Sequence, residues 1–367
     1  MDRLVHRLSA GGMRVQPGLT GEHLAEMARN MTRKMRIADI PVDGAKCGID
    51  YDPASPGKAA AMGRFLAAIR PYVISRYSMG PDLNVDMGEL ERIAKTIGIA
   101  SVKMAVAQAQ GWDLAYYLER TKVLNEKVDH FTLGQLRAGY GVAAAALGTL
   151  AKLEIKPEDA RISLQGFGTL GRATLFGLAE AGCKIVAIGD AKQTLISRSP
   201  EGLPASTLLA LPGPLLPDAD LIPNTSSGAK GELFNCPADL LIPAALENTV
   251  TPEISALLPV RAVVPGANLA VPAKSATILQ QRDILVLPDF LAGCGGSLSM
   301  EGLYGPSQHP TARMVLDHVH RKMKNLVEQV ITQSILTGVT PTEAAQQISE
   351  SRPDHGDRRP YEINRNS

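Results

Sequence analysis

An excess of charge of either sign is absent: 38 Lys and Arg stand against 37 Asp and Glu in 367 residues. Aromatics are scarce at 4%, and no basic cluster is interleaved with them, so nucleic acid is not expected as a partner. Long apolar runs are missing too. Nothing approaches the roughly 20 residues of a membrane span, and the N-terminus MDRLVHRLSAGG has no apolar core of signal-peptide length. A soluble cytoplasmic protein with no membrane partner is expected. The four cysteines, Cys47, Cys183, Cys236 and Cys294, include no Cys-x-x-Cys pair, which argues against a disulfide framework or a zinc site and for buried free thiols. His318 and His320 are two apart and would point to different faces of a helix, so no metal is expected.

The length is about twice what one core comfortably serves, so two domains with a ligand cleft between them are expected. Thr20 to Met35 repeats Leu24, Met27, Met31 and Met35 at helical spacing, with Thr20 as N-cap and Lys34 in the last turn. A second amphipathic helix reads from Lys58 through Tyr72, carrying Met62, Phe65, Leu66 and Ile69 on one face. The Gly-Pro-Asp cluster of GPDLNVDMG breaks structure before a helix that begins near Glu89, and Asp86 lies in that break. From about residue 158 the texture changes to short apolar runs, ARISLQ, CKIVAIGD, ADLLIPAA, RAVVPGAN and DILVLPDF, which read as strands of a mainly parallel sheet. Residues 314–336 form a long helix, followed by a capped one at TPTEAAQQI, where Thr340, Pro341 and Glu343 supply cap, first turn and box. The polar, Pro-broken tail 351–367 is expected to be mobile.

Gly166, Gly168 and Gly171 form a G-x-G-x-x-G between a strand and a helix, and a second strand stops at Asp190, 19 residues after Gly171. Gly166 allows the tight turn, Gly168 lets backbone approach a pyrophosphate, and Gly171 lets helix and strand pack closely. The helix N-terminus offers free N–H groups to the phosphates. Asp190 would accept hydrogen bonds from the adenosine ribose and favour NAD by repelling a 2′-phosphate; Lys192, two residues on, could instead pair with such a phosphate, so NADP stays open. The bland alternative is a tight βαβ turn without a ligand.

Taken together, GGMR (11–14), MTRK (31–34), GAKCGI (44–49), GPDLNVDMG (80–88), AGYGV (138–142), QGFGTLGR (165–172), LIPAALEN (241–248), PGAN (265–268) and LPDFLAGCGG (287–296) resemble the glutamate/leucine/phenylalanine/valine dehydrogenase family of amino acid dehydrogenases. The resemblance implies an α/β fold of two domains, an N-terminal α/β substrate domain and a Rossmann-type NAD(P) domain, with the active site in the cleft between them. It places the substrate domain at 1–132, completed by the helices at about 312–350, and the nucleotide domain at 133–311. It makes Lys46 the catalytic lysine, Lys34 the partner of the substrate's α-carboxylate, and Asp86 the acid/base group that handles the amine proton. Gly166, Phe167, Gly168, Thr169, Leu170, Gly171, Asp190, Ala244 and Asn268 become cofactor residues. The small neighbours Gly44, Ala45 and Gly48 would let substrate and water reach Lys46. Oxidative deamination of an L-amino acid and assembly into a homo-oligomer follow as expectations.

Departures from the family pattern bear on the substrate. Glutamate-specific members place a lysine where Ala10 stands and a serine where Met300 stands, so a side chain other than glutamate's, apolar or bulky, is expected. Gly12, Met13, Ser297 and Met300 would line that pocket. Asp43 replaces the usual glycine beside the catalytic motif and reads as a solvated turn residue, or else as a partner for a basic side chain. Ala138, Pro265, Gly293 and Cys294 replace family residues near the nicotinamide. Those changes keep two other readings in play, a weakened relative acting as a nucleotide or amino-acid sensor or assembly partner, and a specialised amine or imine oxidoreductase. The chain also begins only ten residues before GGMR, where relatives carry a segment that helps subunits assemble.

Overall fold

The computed structural model describes residues 1–305, 307 and 309–362. The chain divides into two compact units, Met1–Lys122 with Tyr304–Gln308 and Ser349–Ser367, and Val123–Leu303 with His309–Ile348.

In the first unit, β1 (Ser9–Val15) runs through a parallel sheet; α1 (Gly21–Ile37) follows it and leads to β2 (Asp43–Gly44) and β3 (Cys47–Ile49). After α2 (Lys58–Ser75) come β4 (Tyr77–Pro81), α3 (Met87–Thr96), α4 (Ala105–Gln110) and α5 (Leu114–Thr121). β2 and β3 pair with successive parts of β1, and β4 pairs with Ser9–Met13 along its other edge. The period of two along β1 sorts its side chains. Met13 and Val15 enter a core with Met62, Leu66, Met79, Leu90, Ile93 and Ile99, while Gly12 and Arg14 project to the opposite face. Thr20 caps α1 as expected, accepting from the amide of His23 at 3.2 Å.

The C-terminal segment corrects the expectation of a mobile tail. Arg36, in the last turn of α1, donates to the carbonyls of Ser349, Glu350 and Arg352 at 2.9, 3.1 and 2.6 Å and pairs with Asp354 at 2.5 Å. Arg3 also holds Asp354, His355 bonds Asp39, and the buried Tyr361 packs on Tyr304 with ring centroids 5.5 Å apart. A guanidinium supplies several donors in a fixed fork, so one residue satisfies carbonyls that a helix end leaves open. Residues 363–367 lie outside the described residues.

The second unit opens with a hairpin, β5 (Lys127–Val128) and β6 (Phe131–Thr132), then α6 (Leu133–Lys152), β7 (Arg161–Gln165), α7 (Thr169–Glu180), β8 (Lys184–Gly189) and β9 (Gln193–Ser197). It continues with α8 (Ala205–Ala210), β10 (Thr225–Ala229), β11 (Leu240–Pro243), α9 (Pro252–Leu257), β12 (Ala262–Val263), α10 (Ala273–Gln281) and β13 (Leu285–Val286). The helices α11 (Asp289–Ala292), α12 (Gly295–Tyr304), α13 (Ala312–Thr337) and α14 (Pro341–Ser351) close the chain. The sheet order is β10-β9-β8-β7-β11-β12-β13. Its five strands β8, β7, β11, β12 and β13 are parallel, and the five apolar runs read as strands are these five. β9 and β10 run antiparallel at one edge.

The long helix α13 packs along α6, where the small side of Gly148 meets Val327 and that of Gly141 meets Gly295 and Val319. It therefore belongs to the second unit and does not complete the first, contrary to the expected division at about 312–350. The stretch AGYGVAAAALG gives α6 small residues on several sides, which lets it pack closely against both α7 and α13. Among the described residues no helix is long and apolar enough to cross a membrane.

Candidate active site

Lys46 sits between β2 and β3 with its side chain 4% exposed, and its ammonium meets Asp82 Oδ2 at 2.8 Å. Arg14 donates from Nε to the same oxygen, also at 2.8 Å. The polar arrangement follows from strand alternation: Arg14 lies two residues after Gly12 on the non-core face of β1, and Asp82 follows the last residue of β4. A Cβ built on Gly12 would lie 2.8 Å from the Cβ of Asp82 and 3.5 Å from Lys46 Nζ, so only glycine fits against this pair. Burial alone would raise the Asp82 carboxyl, but the charges of Lys46 and Arg14 and the hydrogen bonds they donate outweigh it and hold the group below its ordinary value. Asp82 is a carboxylate at neutral pH.

Several expected roles move. Asp86 is exposed and caps α3, accepting from the amide of Glu89 at 2.9 Å; the carboxylate that reaches Lys46 is Asp82, four residues earlier in the same motif. Gly44 and Gly48 do not serve access to Lys46. A Cβ on Gly44 would strike Ala28 O and Thr32 of α1, and one on Gly48 would strike Arg14 O, so these glycines permit close backbone packing. Met13 is a core residue, fully buried on the face away from Lys46, and is not a pocket residue. Asp43 is no solvated turn residue: it is 1% exposed, its Oδ2 accepts from the amide of His6 at 2.8 Å, and its Oδ1 faces His6 Nδ1 at 2.9 Å. Burial raises its carboxyl, yet the hydrogen bonds and charge of His6, with Arg3, hold it below the usual range. Lys34 is buried in the last turn of α1. Cys47, next to Lys46, is a thiol rather than a nucleophile, because burial pushes it up to about 12.

In the second unit the glycine-rich turn has the form its sequence predicts. Gly166 has φ +108°, a conformation that side chains rarely adopt, and donates to Gly189 O at 2.7 Å. Gly168 is the N-cap of α7 and makes no side-chain cap, and a Cβ there would meet nothing within 4 Å. A Cβ on Gly171 would lie 2.0 Å from Gly166 O, so helix and turn close only around glycine. Phe167 is buried beneath Arg172, Thr169 is exposed and Leu170 is half-buried. Ala244 bonds Gln165 O at 2.8 Å, and its own carbonyl sits over Gly166. Asn268 is half-buried, three residues after Pro265. Open amides at a helix start, approached by glycine, fit a dinucleotide's phosphates.

Asp190 departs from a simple ribose acceptor. Its Oδ1 accepts from the amides of Lys192 and Gln193 at 2.7 and 2.9 Å, and its Oδ2 from Leu216 at 2.8 Å, so it organises the turn between β8 and β9. A carboxylate has about four acceptor positions, and a ribose hydroxyl would have to share what remains. Ser297 is buried and Met300 half-buried on α12, three residues apart and so on one side of that helix, while Gly293 lies in the turn that precedes it.

The chain matches "Glutamate dehydrogenase A2" of Halobacterium salinarum at 28% identity over 293 residues, 78% of this chain and 66% of that protein's length. It matches the "NADP-specific glutamate dehydrogenase" of Synechocystis sp. at 27% identity, covering 96% of this chain and 84% of that one. Among solved structures, the hetero-hexameric glutamate dehydrogenase from Thermus thermophilus in its Leu bound form superposes with a TM-score of 0.72 at 23% identity, covering 95% of this chain and 82% of the other. The L-tryptophan dehydrogenase from Nostoc punctiforme superposes at 0.59 with 18% identity, covering 94% and 87%. Residues 5–98 match the family model described as "Glu/Leu/Phe/Val dehydrogenase, dimerisation domain", and residues 133–352 match that for "Glutamate/Leucine/Phenylalanine/Valine dehydrogenase". The chain belongs to the glutamate/leucine/phenylalanine/valine dehydrogenase family.

Proposed function

We propose that the protein is an NAD(P)-dependent L-amino acid dehydrogenase acting on a substrate other than glutamate. The observation that carries this reading is the buried set of Lys46, Asp82 and Arg14 backed by Gly12. A nicotinamide dinucleotide, held by its phosphates at the start of α7, supplies the acceptor for the hydride that leaves the α-carbon. The substrate enters as an ammonium and must lose a proton before that step. Asp82, held ionised by its two cationic neighbours, accepts it. Asp82 releases that proton to solvent; water then attacks the iminium carbon and loses a proton to the same carboxylate, which hands it to the amine nitrogen so that ammonia leaves as the hydroxyl proton passes back to the carboxylate. Lys46 stabilises the negative charge that grows on that oxygen as the carbinolamine collapses to ammonia and a 2-oxo acid. Lys34, buried on α1, is the proposed partner of the α-carboxylate.

Ala10 offers no ammonium from β1 and Met300 no hydroxyl, which supports a side chain other than glutamate's. The dimerisation-domain match over residues 5–98 supports assembly into an oligomer. NAD is the expected cofactor from Asp190, with NADP to be compared directly.

The test follows reduced nicotinamide absorbance across the L-amino acids with each dinucleotide. Asp82→Asn is expected to lower kcat by about 10²–10⁴-fold, the range for a positioned acid/base group. Full activity in that variant would overturn the role given to Asp82, and silence of the wild type on every amino acid would overturn the reading itself.

A further inference from the structure

Among the described residues, eight other than glycine have a positive φ, and seven of them are Asp, Asn or Glu. The eighth is Leu269, at φ +53°. Asp and Asn enter this region because a short polar side chain can bond locally, whereas a bulky apolar residue there is strained and persists only where its surroundings hold it.

Those surroundings are visible on both sides of the leucine. Leu269 N donates to Asp289 Oδ2 at 2.7 Å, and Leu269 O accepts from Asn248 N at 2.8 Å. Ala270 O accepts from Val250 N at 3.0 Å, while Gly266 and Ala267 both donate to Pro243 O at 3.0 Å. These last bonds are backbone to backbone, so the Asp289 carboxylate is the side chain that holds the strained joint. The amide it holds belongs to the peptide that leaves Asn268. With Leu269 O fixed by Asn248, a relaxation of φ at Leu269 turns that peptide and carries Asn268 with it.

β7, β11 and β12 are parallel neighbours, so their carboxyl ends lie along one edge of the sheet. The glycine turn follows β7, and the loop of Asn268 follows β12, two strands or roughly 10 Å along that edge. Asp190 follows β8, on the other side of β7. A dinucleotide with its pyrophosphate at the glycine turn lays its adenosine towards β8, which leaves the nicotinamide half on the side of Asn268.

We propose that Asp289 is a positioning residue: by holding the amide of a leucine in a left-handed conformation, it places Asn268 against the nicotinamide half of the dinucleotide. Leu269 is the joint loaded against that hold. The proposal rests on the dinucleotide reading of the second unit, and gives Asp289 no contact with the reacting atoms.

Binding to the intact protein tests it, by fluorescence titration of NADH or NADPH, whichever the wild type holds more tightly, and calorimetric titration of the matching adenosine-side fragment, ADP or 2′-phospho-ADP. Asp289→Ala is expected to weaken the reduced dinucleotide about tenfold or more, the scale of one strained residue released, and to leave the fragment within about threefold. Asp289→Asn keeps an acceptor oxygen and is expected to recover most of that loss. In a Leu269→Gly background, where positive φ carries no side-chain strain, Asp289→Ala is expected to cost less than about threefold. Leu269→Val, β-branched and poorly suited to this conformation, is expected to weaken the dinucleotide about tenfold with Asp289 in place, which keeps the test decisive should Asp289→Ala not fold. Equal losses on dinucleotide and fragment, an equal cost of Asp289→Ala in both backgrounds, or an unchanged dinucleotide affinity in Asp289→Ala or Leu269→Val overturns the proposal. A wild type that binds neither dinucleotide nor fragment overturns the dinucleotide reading, and the role of Asp289 with it.

Discussion

A single carboxylate oxygen, Asp82 Oδ2, receives both Lys46 and Arg14, and this sharing sets how the site responds to pH. Arg14 also donates from Nη1 to Gln16 Oε1 at 3.0 Å, which fixes the guanidinium that points at Asp82. Removing Arg14 takes away one of the influences that depress the Asp82 carboxyl, so the group protonates at higher pH. Arg14→Leu is therefore expected to move the acid limb of a plot of log kcat/KM against pH upward. A limb that stays in place would show that another group titrates there. Gly12→Ala would drive a methyl into Asp82 and is expected to reduce kcat/KM by two orders of magnitude or more, as a displacement of about 1 Å at a reacting group can.

At the scale of elements, two helix starts illustrate opposite uses of the same physics. α3 begins with Asp86, whose side chain closes one of the four open amides. Asp86→Ala is expected to cost about 1 kcal/mol in denaturant unfolding while kcat stays within a few-fold; a collapse of kcat would return Asp86 to the reaction. α7 begins with Gly168 and leaves its amides without a side-chain partner. Gly171→Ala would force the helix away from Gly166 O and is expected to weaken dinucleotide binding by about tenfold or more in a fluorescence titration. Unchanged affinity would leave the turn as a packing feature only.

Across the whole molecule, the buried Asp43 and the part-buried Asp82 are carboxylates held below their ordinary values by cationic or hydrogen-bonding neighbours. A group whose folded pKa is depressed adds stability that is complete above its unfolded value, about 3.9 for Asp, and is lost as pH falls through the folded value. Stability is thus expected to be flat in these two groups from neutral pH down to about 4 and to fall below it. Asp43→Asn should lower stability at neutral pH and flatten the loss in acid, read as the denaturation midpoint at a series of pH values. An acid limb as steep as the wild type's would show that the pairing of Asp43 with His6 contributes nothing to it.

The sequence by itself determined what local pattern governs. Helical periodicity and caps located α1, α2, α13 and α14, the β-branched runs located the parallel strands, and the spacing of Gly166, Gly168 and Gly171 located the turn, because each depends on residues close along the chain. Lys46 was singled out by its glycine- and alanine-rich surroundings and the order of motifs, and its proposed role rests on its meeting with Asp82. Which carboxylate meets it was decided only by tertiary structure. In GPDLNVDMG both Asp82 and Asp86 are available, and the spacing from Asp86 to Glu89 is the signal, not used in the sequence reading, that makes the second a helix cap. Strand pairing of β4 with β1 carries the first to the lysine, and pairing register is a property of distant residues. The same reason explains Met13 and Asp43, whose burial depends on which face or which distant partner each meets. It explains the C-terminal segment too, whose polar, Pro-broken sequence gives no sign that Arg36 would bind its carbonyls.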